Sequence, residues 1–149
     1  MQVYPGILIG AARRALKQAV LARIAGRGLT SQQFWLLVNL DEHPGISQAE
    51  LAALVRVDAP SVSRALAGLA ERGMARADPD PHDRRRACVT LTAAGRRLAR
   101  ELVPVAREIR ETVVRGMSAA EVAALTQGLQ RVLQNLHRLE RQPAERERA

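Results

Sequence analysis

Several residue types are scarce in this chain, and each scarcity excludes a class of site. Its 149 residues include one cysteine, Cys88, which excludes an intrachain disulfide and a zinc site built from several cysteines. The only aromatic residues are Tyr4, Phe34 and Trp35, too few for the stacking platforms that bind single-stranded nucleic acid. Apolar runs stay well below the ~20 residues that cross a bilayer, and the N-terminus lacks a basic-then-apolar signal pattern. We therefore expect a soluble, cytoplasmic protein without a membrane partner.

Motifs of enzyme chemistry are missing as well. The three histidines, His43, His82 and His137, are scattered, and no two of them have metal-ligand spacing. The sequence contains no glycine-rich phosphate loop, P-loop lysine or nucleophile elbow. We expect no enzymatic activity, no metal and no cofactor.

Positive charge is abundant and unevenly distributed. The chain has 23 Lys and Arg against 15 Asp and Glu, a net charge of +8, and every basic residue except Lys17 is arginine. Residues 1–30 contain five basic and no acidic residues, and residues 56–100 contain ten basic and five acidic ones. GC-rich coding alone can produce many arginines, but clustering of this kind indicates a polyanionic partner. With so few aromatic residues, duplex DNA is the favoured polyanion.

The chain has mostly helical patterns with well-marked helix starts. A first helix is predicted over about residues 5–25, ended by Gly26 and Gly28. A threonine or serine stands three residues before a glutamine or glutamate at three places, which predicts capping boxes. These pairs are Thr30 and Gln33, Ser47 and Glu50, and Ser118 and Glu121.

The segment from Ser47 to Gly95 combines two short helices with a basic hairpin. The helices are SQAELAALV and APSVSRALAGLAERG, separated by the turn VRVD, and the hairpin is DPDPHDRRRACVTLT. Its strands are predicted at Met74–Ala77 and Cys88–Leu91, because the Asp78-Pro79-Asp80-Pro81 run favours a turn and does not suit either strand. This order of elements predicts a winged helix-turn-helix, a fold that contacts both grooves of duplex DNA.

The second helix of this segment has one apolar and one polar face. Val62, Leu66 and Leu69 fall on the inner side, and Asp58 is the predicted N-cap. The outer face of the first turns carries Pro60, Ser61, Ser63 and Arg64, small and polar residues that suit the major groove. A merely solvated face is the alternative for these residues, and the adjoining wing argues against it.

The hairpin carries Arg84, Arg85 and Arg86 at its tip, where an arginine can enter a narrow minor groove. Asp83 stands beside them. It either forms a simple surface ion pair or orients a guanidinium toward the groove, and we favour the second role.

Two apolar periodic runs follow the hairpin. The second is a heptad-like series whose alternative is an ordinary amphipathic helix packed within the monomer, but its length beside a DNA-binding unit favours a homodimer. Pro104 is expected to kink the first run near Arg100. Residues 141–149 have no apolar periodicity and are expected to fray. The series comprises Val122, Leu125, Leu129, Val132, Leu136 and Leu139.

Residues 5–140 resemble the MarR (multiple antibiotic resistance regulator) family of bacterial transcription factors. The most specific motifs are D-P-x-D-R-R at Asp80–Arg85 and L-T-x-x-G at Leu91–Gly95, together with T-x-x-Q-[FW] from Thr30. Arg86 departs from the family pattern, where many relatives have a small or neutral residue. The resemblance implies a homodimer with interlocked N- and C-terminal helices, whose two winged domains bind a pseudo-palindromic operator.

The expected fold is mainly α with a small β-hairpin wing, a winged helix-turn-helix with flanking dimerisation helices. We expect one domain over residues 1–149, with the winged helix-turn-helix at 30–92 and dimerisation helices at 1–28 and 93–140. The predicted DNA-binding residues are Ser47, Gln48, Pro60, Ser61, Ser63, Arg64, Asp83, Arg84, Arg85 and Arg86.

Members of the family commonly respond to small aromatic compounds, which gives an expected effector. Phe34, Trp35 and His43 are the candidates for lining its cleft, although Phe34 and Trp35 suit a helix core better. Cys88 lies in a wing strand without a resolving partner, which favours an inert residue over a redox sensor.

The expected function is that of a homodimeric, sequence-specific regulator of transcription, a repressor that a small molecule releases from DNA. The alternatives are an architectural protein that binds duplex DNA with little sequence preference, for which the net charge of +8 suffices, and a winged-helix module whose basic face contacts an acidic protein.

Overall fold

A computed structural model describes residues 3–83 and 86–141. The chain divides into two compact units, Met1–Arg110 and Glu111–Ala149. The described residues form α1 (Pro5–Arg23), α2 (Ser31–Glu42), α3 (Gln48–Val55), α4 (Ala59–Glu71), β1 (Ala75–Pro79), β2 (Ala87–Leu91), α5 (Ala93–Val113) and α6 (Ala119–Arg141).

The helix starts follow the predicted capping boxes. Gln33 N donates to Thr30 Oγ1 at 3.0 Å, and Thr30 N donates back to Gln33 Oε1 at 3.1 Å, which opens α2. Ser47 and Glu50 make the same reciprocal pair before α3. Ser118 and Glu121 repeat it before α6. All three predicted capping boxes are confirmed. They form because each box satisfies amide groups that have no partner inside the helix.

Helix α2 lies at the centre of the first unit, against α1, α3, α4 and β2. Its side chains are buried on most sides, which explains why its sequence is apolar almost all round. The predicted inner face of α4, Val62, Leu66 and Leu69, is buried and completes this core. The buried residues of α2 are Phe34, Leu36, Leu37, Val38 and Leu40.

The wing strands differ from their predicted bounds. Strand β1 starts at Ala75 and continues through Asp78 and Pro79, which pair with Cys88 and Ala87, so the prediction that these residues end the strand is wrong. The sheet has two antiparallel strands, and β1, which contains Pro79, pairs only with β2 in the described part of the chain and keeps a free outer edge. Proline is tolerated on such an edge because its missing N–H removes no ladder bond there. The wing is therefore longer than its turn-forming residues suggested.

Helix α1 differs in detail from the sequence analysis. It ends at Arg23, two residues earlier than predicted, with Ile24 as its C-cap. Helix α5 continues through Pro104 as a single element, and the kink expected near Arg100 stays a prediction. Within the described residues, no helix is long and apolar enough to cross a membrane.

The junction between the wing and α5 is held by close backbone contacts. Thr92 N donates to Met74 O at 3.0 Å, and Thr92 Oγ1 donates to Gly73 O at 2.6 Å. The same hydroxyl accepts from Gly95 N at 3.0 Å and thereby caps α5. Gly95 lies so near that an added Cβ would be 1.9 Å from Met74 O. The L-T-x-x-G motif is thus a structural joint that fixes the base of the wing.

Candidate nucleic-acid interface

The start of α4 is organised by Asp58. Its carboxylate accepts from Ser61 N at 2.8 Å, which confirms the predicted N-cap. Pro60 lies in the first turn, where a missing amide costs no helical bond. The hydrogen bonds from Ser61 hold the pKa of Asp58 below its usual value. Asp58 therefore stays ionised at neutral pH and keeps this helix start ordered.

The outer face of α4 presents the residue types expected for a groove contact. Pro60, Ser63, Arg64 and Ala67 are exposed, and Ser61 is half-buried. Arg64 Nη2 donates to Ser61 Oγ at 3.0 Å, so the guanidinium lies along the first turn of the helix. The small neighbours leave this guanidinium accessible, and its remaining N–H groups are available to a ligand.

The predicted DNA-binding residues Ser47 and Gln48 lie at the start of α3, in different environments. Ser47 is buried, and its hydroxyl donates to Glu50 Oε2 at 2.5 Å and accepts from Glu50 N at 3.2 Å. Its backbone also forms a β-bridge with Cys88 of the wing. Gln48 is half-buried at the first position of the helix. The geometry therefore gives Ser47 a positioning role between α3 and the wing.

The wing turn is organised by Asp80. Its carboxylate accepts from His82 N at 2.8 Å and from Asp83 N at 3.3 Å, and these contacts hold the pKa of Asp80 low, with the His82 amide as the main cause. Asp80 N donates to Arg86 O at 2.8 Å and closes the turn. The aspartate of the D-P-x-D motif thus shapes the loop through its side chain, which confirms the turn-forming role predicted for Asp80.

The predicted arginines at the wing tip fall into two groups. Arg84 and Arg85 lie outside the described residues, so their minor-groove roles stay predictions, as does the role of Asp83 in orienting them. Arg86 is described, and its Nη2 lies 3.0 Å from Glu50 Oε1 and 3.2 Å from Ser47 Oγ. The guanidinium of Arg86 therefore contacts the start of α3.

The contact of Arg86 joins the wing to α3 electrostatically. The pKa of Glu50 is lowered, first by the Ser47 hydroxyl and amide and then by Arg86. The pKa of Arg86 is raised, mainly by its hydrogen bond to Glu50. Both groups therefore carry full charge at neutral pH, and Glu50 neutralises the one wing-tip arginine that departs from the family pattern.

Removing the charge of Glu50 is expected to release Arg86 toward DNA phosphates. Glu50→Gln keeps a capping-box residue while freeing the guanidinium. We expect roughly threefold to fivefold tighter binding to a random-sequence duplex at ~0.1 M salt, since a solvent-exposed ion pair is weak. The slope of log affinity against log salt should steepen by about 0.9, the value for one added phosphate contact.

Fluorescence anisotropy across a salt series measures both quantities for Glu50→Gln. Glu71→Gln is the matched control, because Glu71 is an exposed acid at the end of α4 and its loss changes the net charge equally. An identical slope for Glu50→Gln and the wild type would show that Arg86 is not held away from DNA by this contact.

A second arginine of the wing also has partners that the sequence analysis missed. Arg76 Nε lies 2.8 Å from Asp78 Oδ2 and 3.3 Å from Thr90 Oγ1. Arg76 and Thr90 are directly opposite each other on β1 and β2. A sequence analysis that assigned this strand register would have predicted their contact. The pair stiffens the ribbon on its exposed side.

The three effector candidates lie in different environments. Phe34 is fully buried, Trp35 is half-buried, and His43 is an exposed C-cap of α2. The Phe34 and Trp35 rings meet edge to face at 4.9 Å, and Arg110 Cζ lies 5.7 Å from the Trp35 ring centroid. The core role favoured for Phe34 is confirmed. An effector contact at Trp35 or His43 stays a prediction.

A cavity of about 210 Å³ lies elsewhere, between α4 and the wing strands. Four of its nine lining residues are alanines, namely Ala67, Ala70, Ala75 and Ala77. None of the three effector candidates lines it.

Cys88 has the environment of a weakly reactive thiol. It is half-buried, and its Sγ lies 3.6 Å from Asp80 Oδ2. Burial, followed by the nearby Asp80 carboxylate, raises the pKa of the Cys88 thiol. The thiolate that reacts with oxidants is therefore disfavoured, in line with the predicted inert strand residue.

Comparison with known proteins identifies the family. A family model described as "MarR family" matches residues 27–86, from the loop before α2 to the wing tip. HTH-type transcriptional repressor Rv2887 of Mycobacterium tuberculosis is 32% identical over 126 residues, which cover 85% of each chain. The chain belongs to the MarR family of transcriptional regulators. HTH-type transcriptional repressor NicR of Pseudomonas putida is 35% identical to this MarR-family chain over 105 residues. That match covers 70% of the chain and just under two thirds of NicR, 66% of its length.

Solved structures of MarR-family regulators have the same fold. The transcriptional regulator SlyA is 26% identical with a TM-score of 0.75, over 90% of this chain and 94% of SlyA. A mutant MarR from E. coli, complexed with operator DNA, is 26% identical with a TM-score of 0.70. That alignment covers 86% of this chain and 92% of that MarR. The predicted family and the winged-helix fold class are confirmed.

Proposed function

We propose that this MarR-family regulator is a homodimeric repressor that binds a pseudo-palindromic operator. The observation that carries the proposal is the face of α4 opposite the core, where an N-terminal turn of small residues presents Arg64. The wing adjoins this helix in the same unit, so one protomer offers a major-groove and a minor-groove element together. The relatives Rv2887 and NicR are transcriptional repressors, and the E. coli MarR forms a complex with operator DNA; both facts support the proposal.

In the proposed complex, α4 lies in the major groove. Arg64 forks onto the O6 and N7 acceptors of a guanine, and Ser61 and Ser63 contact phosphates or base edges. The positive helix N-terminus faces the phosphate backbone, which favours the same orientation. Gln48 adds a contact from the start of α3, where it is half-buried and lines the cavity between α4 and the wing strands.

The wing is proposed to contact the minor groove beside each half-site. Arg84 or Arg85 enters the groove, drawn by the negative potential of a narrow A·T-rich segment. Asp83 orients the inserted guanidinium. Arg86 contributes indirectly, because its contact with Glu50 and Ser47 sets the angle of the wing.

A homodimer is proposed because both ends of the chain expose apolar side chains. In the second unit, Leu125, Leu129, Leu136 and Leu139 are exposed along one side of α6. Ile7 and Leu8 of α1 are exposed as well. A soluble monomer rarely leaves so regular an apolar series open to water, and a second copy with the same series can cover it. We assign residues 30–92 to DNA binding, 1–28 and 93–140 to dimerisation, and 141–149 to the tail.

An effector is proposed to release the protein from DNA. A small aromatic compound that binds near Trp35 or His43 and favours one dimer arrangement changes the distance between the two α4 helices. Since an operator fits one distance, the affinity for DNA falls by the free energy that couples the two sites. Repression follows from competition with polymerase for the promoter.

The Arg64→Ala variant tests this proposal. At the selected operator we expect a loss of about 1 to 3 kcal/mol, the value of a bidentate contact with guanine, and relaxed specificity at one position per half-site. Binding to a scrambled duplex should weaken much less. Affinities of the wild type and of Arg64→Ala for both duplexes, at two salt concentrations, separate base recognition from charge.

The control for Arg64→Ala is Arg97→Ala, which removes one exposed arginine of α5. It should weaken both duplexes little and equally. Equal losses of Arg64→Ala on the operator and the scrambled duplex would contradict a base contact and favour the architectural alternative. Unchanged duplex binding in Arg64→Ala and Arg85→Ala would favour the protein-interaction alternative.

A further inference from the structure

Arg72, the C-cap residue of α4, connects this helix to the loop between α1 and α2. Its Nη1 donates to Gly28 O at 2.8 Å, and its Nη2 donates to Arg27 O at 2.9 Å. The two N–H groups thus bind two consecutive carbonyls. A guanidinium has this fork geometry built in, whereas a lysine ammonium does not.

The loop that Arg72 contacts is itself attached to α5. Arg27 Nη1 lies 2.6 Å from Glu101 Oε2 of α5. At the end of α1, Arg23 forms two hydrogen bonds with Glu108 of α5, at 2.6 and 3.2 Å. A continuous set of contacts therefore leads from the end of α4 through the loop to α5, within the first unit.

These contacts restrain the C-terminal end of α4, which the proposed DNA does not touch. The buried face of α4 fixes its distance from the core, but a row of three apolar side chains still permits a small tilt. Arg72 is beyond that row, and its two hydrogen bonds are directed. The loop has positive φ angles at Gly26 (79°) and Gly28 (64°), conformations that glycine adopts without strain, so the chain can bend there when the bonds are lost.

We infer that Arg72 is a specificity-determining residue that sets which half-site spacing the dimer accepts. The inference rests on the proposed function, in which α1 and α5 belong to the dimerisation helices and α4 contacts the major groove. Arg72 acts by holding α4 at one angle to α1 and α5. In a two-fold symmetric dimer, a change of this angle occurs twice and alters the separation of the two α4 helices.

Half-site spacing is a sensitive measure of that separation. Inserting one base pair between half-sites moves them apart by about 3.4 Å and rotates them by about 35°. A dimer with fixed α4 helices loses affinity for such a duplex, by roughly tenfold or more. A dimer whose α4 helices can tilt loses less, because each helix still reaches its own half-site.

The experiment compares the full-length wild type with Arg72→Lys and Arg72→Ala. The probes are a duplex selected from a random library by the wild type and the same duplex with one base pair inserted or deleted at its centre. We expect the wild type to bind the duplexes of altered spacing about tenfold or more weakly than the selected duplex. For both variants we expect this loss of affinity to be about threefold or less. Arg72→Lys keeps the charge and loses the fork, so it separates geometry from electrostatics. Arg100→Ala is the control, since it removes an exposed arginine of α5.

Each outcome decides the matter. Relaxed spacing in both variants, with an unchanged salt slope for Arg72→Lys and wild-type spacing for Arg100→Ala, supports the inference. Wild-type discrimination in either Arg72→Lys or Arg72→Ala overturns it. A uniform loss on all duplexes in Arg72→Ala, with the salt slope reduced by about 1, assigns Arg72 to a phosphate contact and also overturns it. A wild type that ignores spacing contradicts the proposed dimer itself.

Discussion

Gly95→Ala is expected to lower the free energy of unfolding by about 3 kcal/mol, the upper range for forcing an extra methyl group into a packed site. The added Cβ would meet Met74 O at 1.9 Å and Met74 C at 2.9 Å. Both atoms belong to the backbone, so no side-chain rotation relieves the clash. Separating α5 from Met74 also breaks the bond from Thr92 N to Met74 O, which aligns the wing.

The matched control for Gly95→Ala is Gly68→Ala in α4. There the added Cβ would also come too close, at 2.7 Å, but it meets Gln33 Nε2, the end of a flexible side chain. We expect a change within about 1 kcal/mol, since alanine also improves helix propensity. The midpoint temperature of thermal unfolding should therefore fall by roughly 6 to 12 °C for Gly95→Ala and change little for Gly68→Ala. Equal stabilities of the two variants would show that the approach of α5 to Met74 is not close in solution.

Leu129→Glu combined with Leu136→Glu is expected to yield a monomer with at least about 100-fold weaker operator binding. The two side chains are 40% and 50% exposed in the single chain, so a charge there harms the isolated helix little. In the proposed dimer the same positions are covered, and two buried carboxylates per chain have no partner for their charge. Loss of the dimer removes the gain from binding two half-sites at once, which is about 100-fold to 10,000-fold.

Sedimentation velocity and operator binding measure the two effects of the leucine substitutions. The control is Gln127→Glu with Gln134→Glu, which adds the same charge to α6 seven residues apart but off the apolar series. The control should remain a dimer with operator binding close to that of the wild type. A dimeric leucine variant with normal operator affinity would exclude α6 from the interface.

The sequence predicts the local features of the fold because their physical causes are local. The three capping boxes and the Asp58 cap each join residues three positions apart, so the spacing alone identifies them. The inner face of α4 follows from a helical period acting on Val62, Leu66 and Leu69. These patterns also place Arg64 on the outer face, where the structure has it.

The wing strands and the long-range contacts of arginine could not be predicted in this way. Pro79 appeared to end a strand, and its tolerance depends on the free edge of a two-stranded sheet. Arg72 and Arg86 reach partners 44 and 39 residues away, Gly28 and Ser47 respectively. Nothing in the sequence separates these arginines from the solvated ones. A cluster of arginines therefore predicts charge, and the fold decides which members remain available to DNA.

In the proposed complex, two copies of this chain bind one operator through α4 and the wing. Sedimentation equilibrium of the wild type with the selected duplex, at physiological salt and with random-sequence competitor, measures the number of chains bound and the preference for the operator. We expect two chains per duplex and a preference over the competitor of at least about 1,000-fold, the usual margin of specific DNA binding. One chain per duplex without any preference would contradict it.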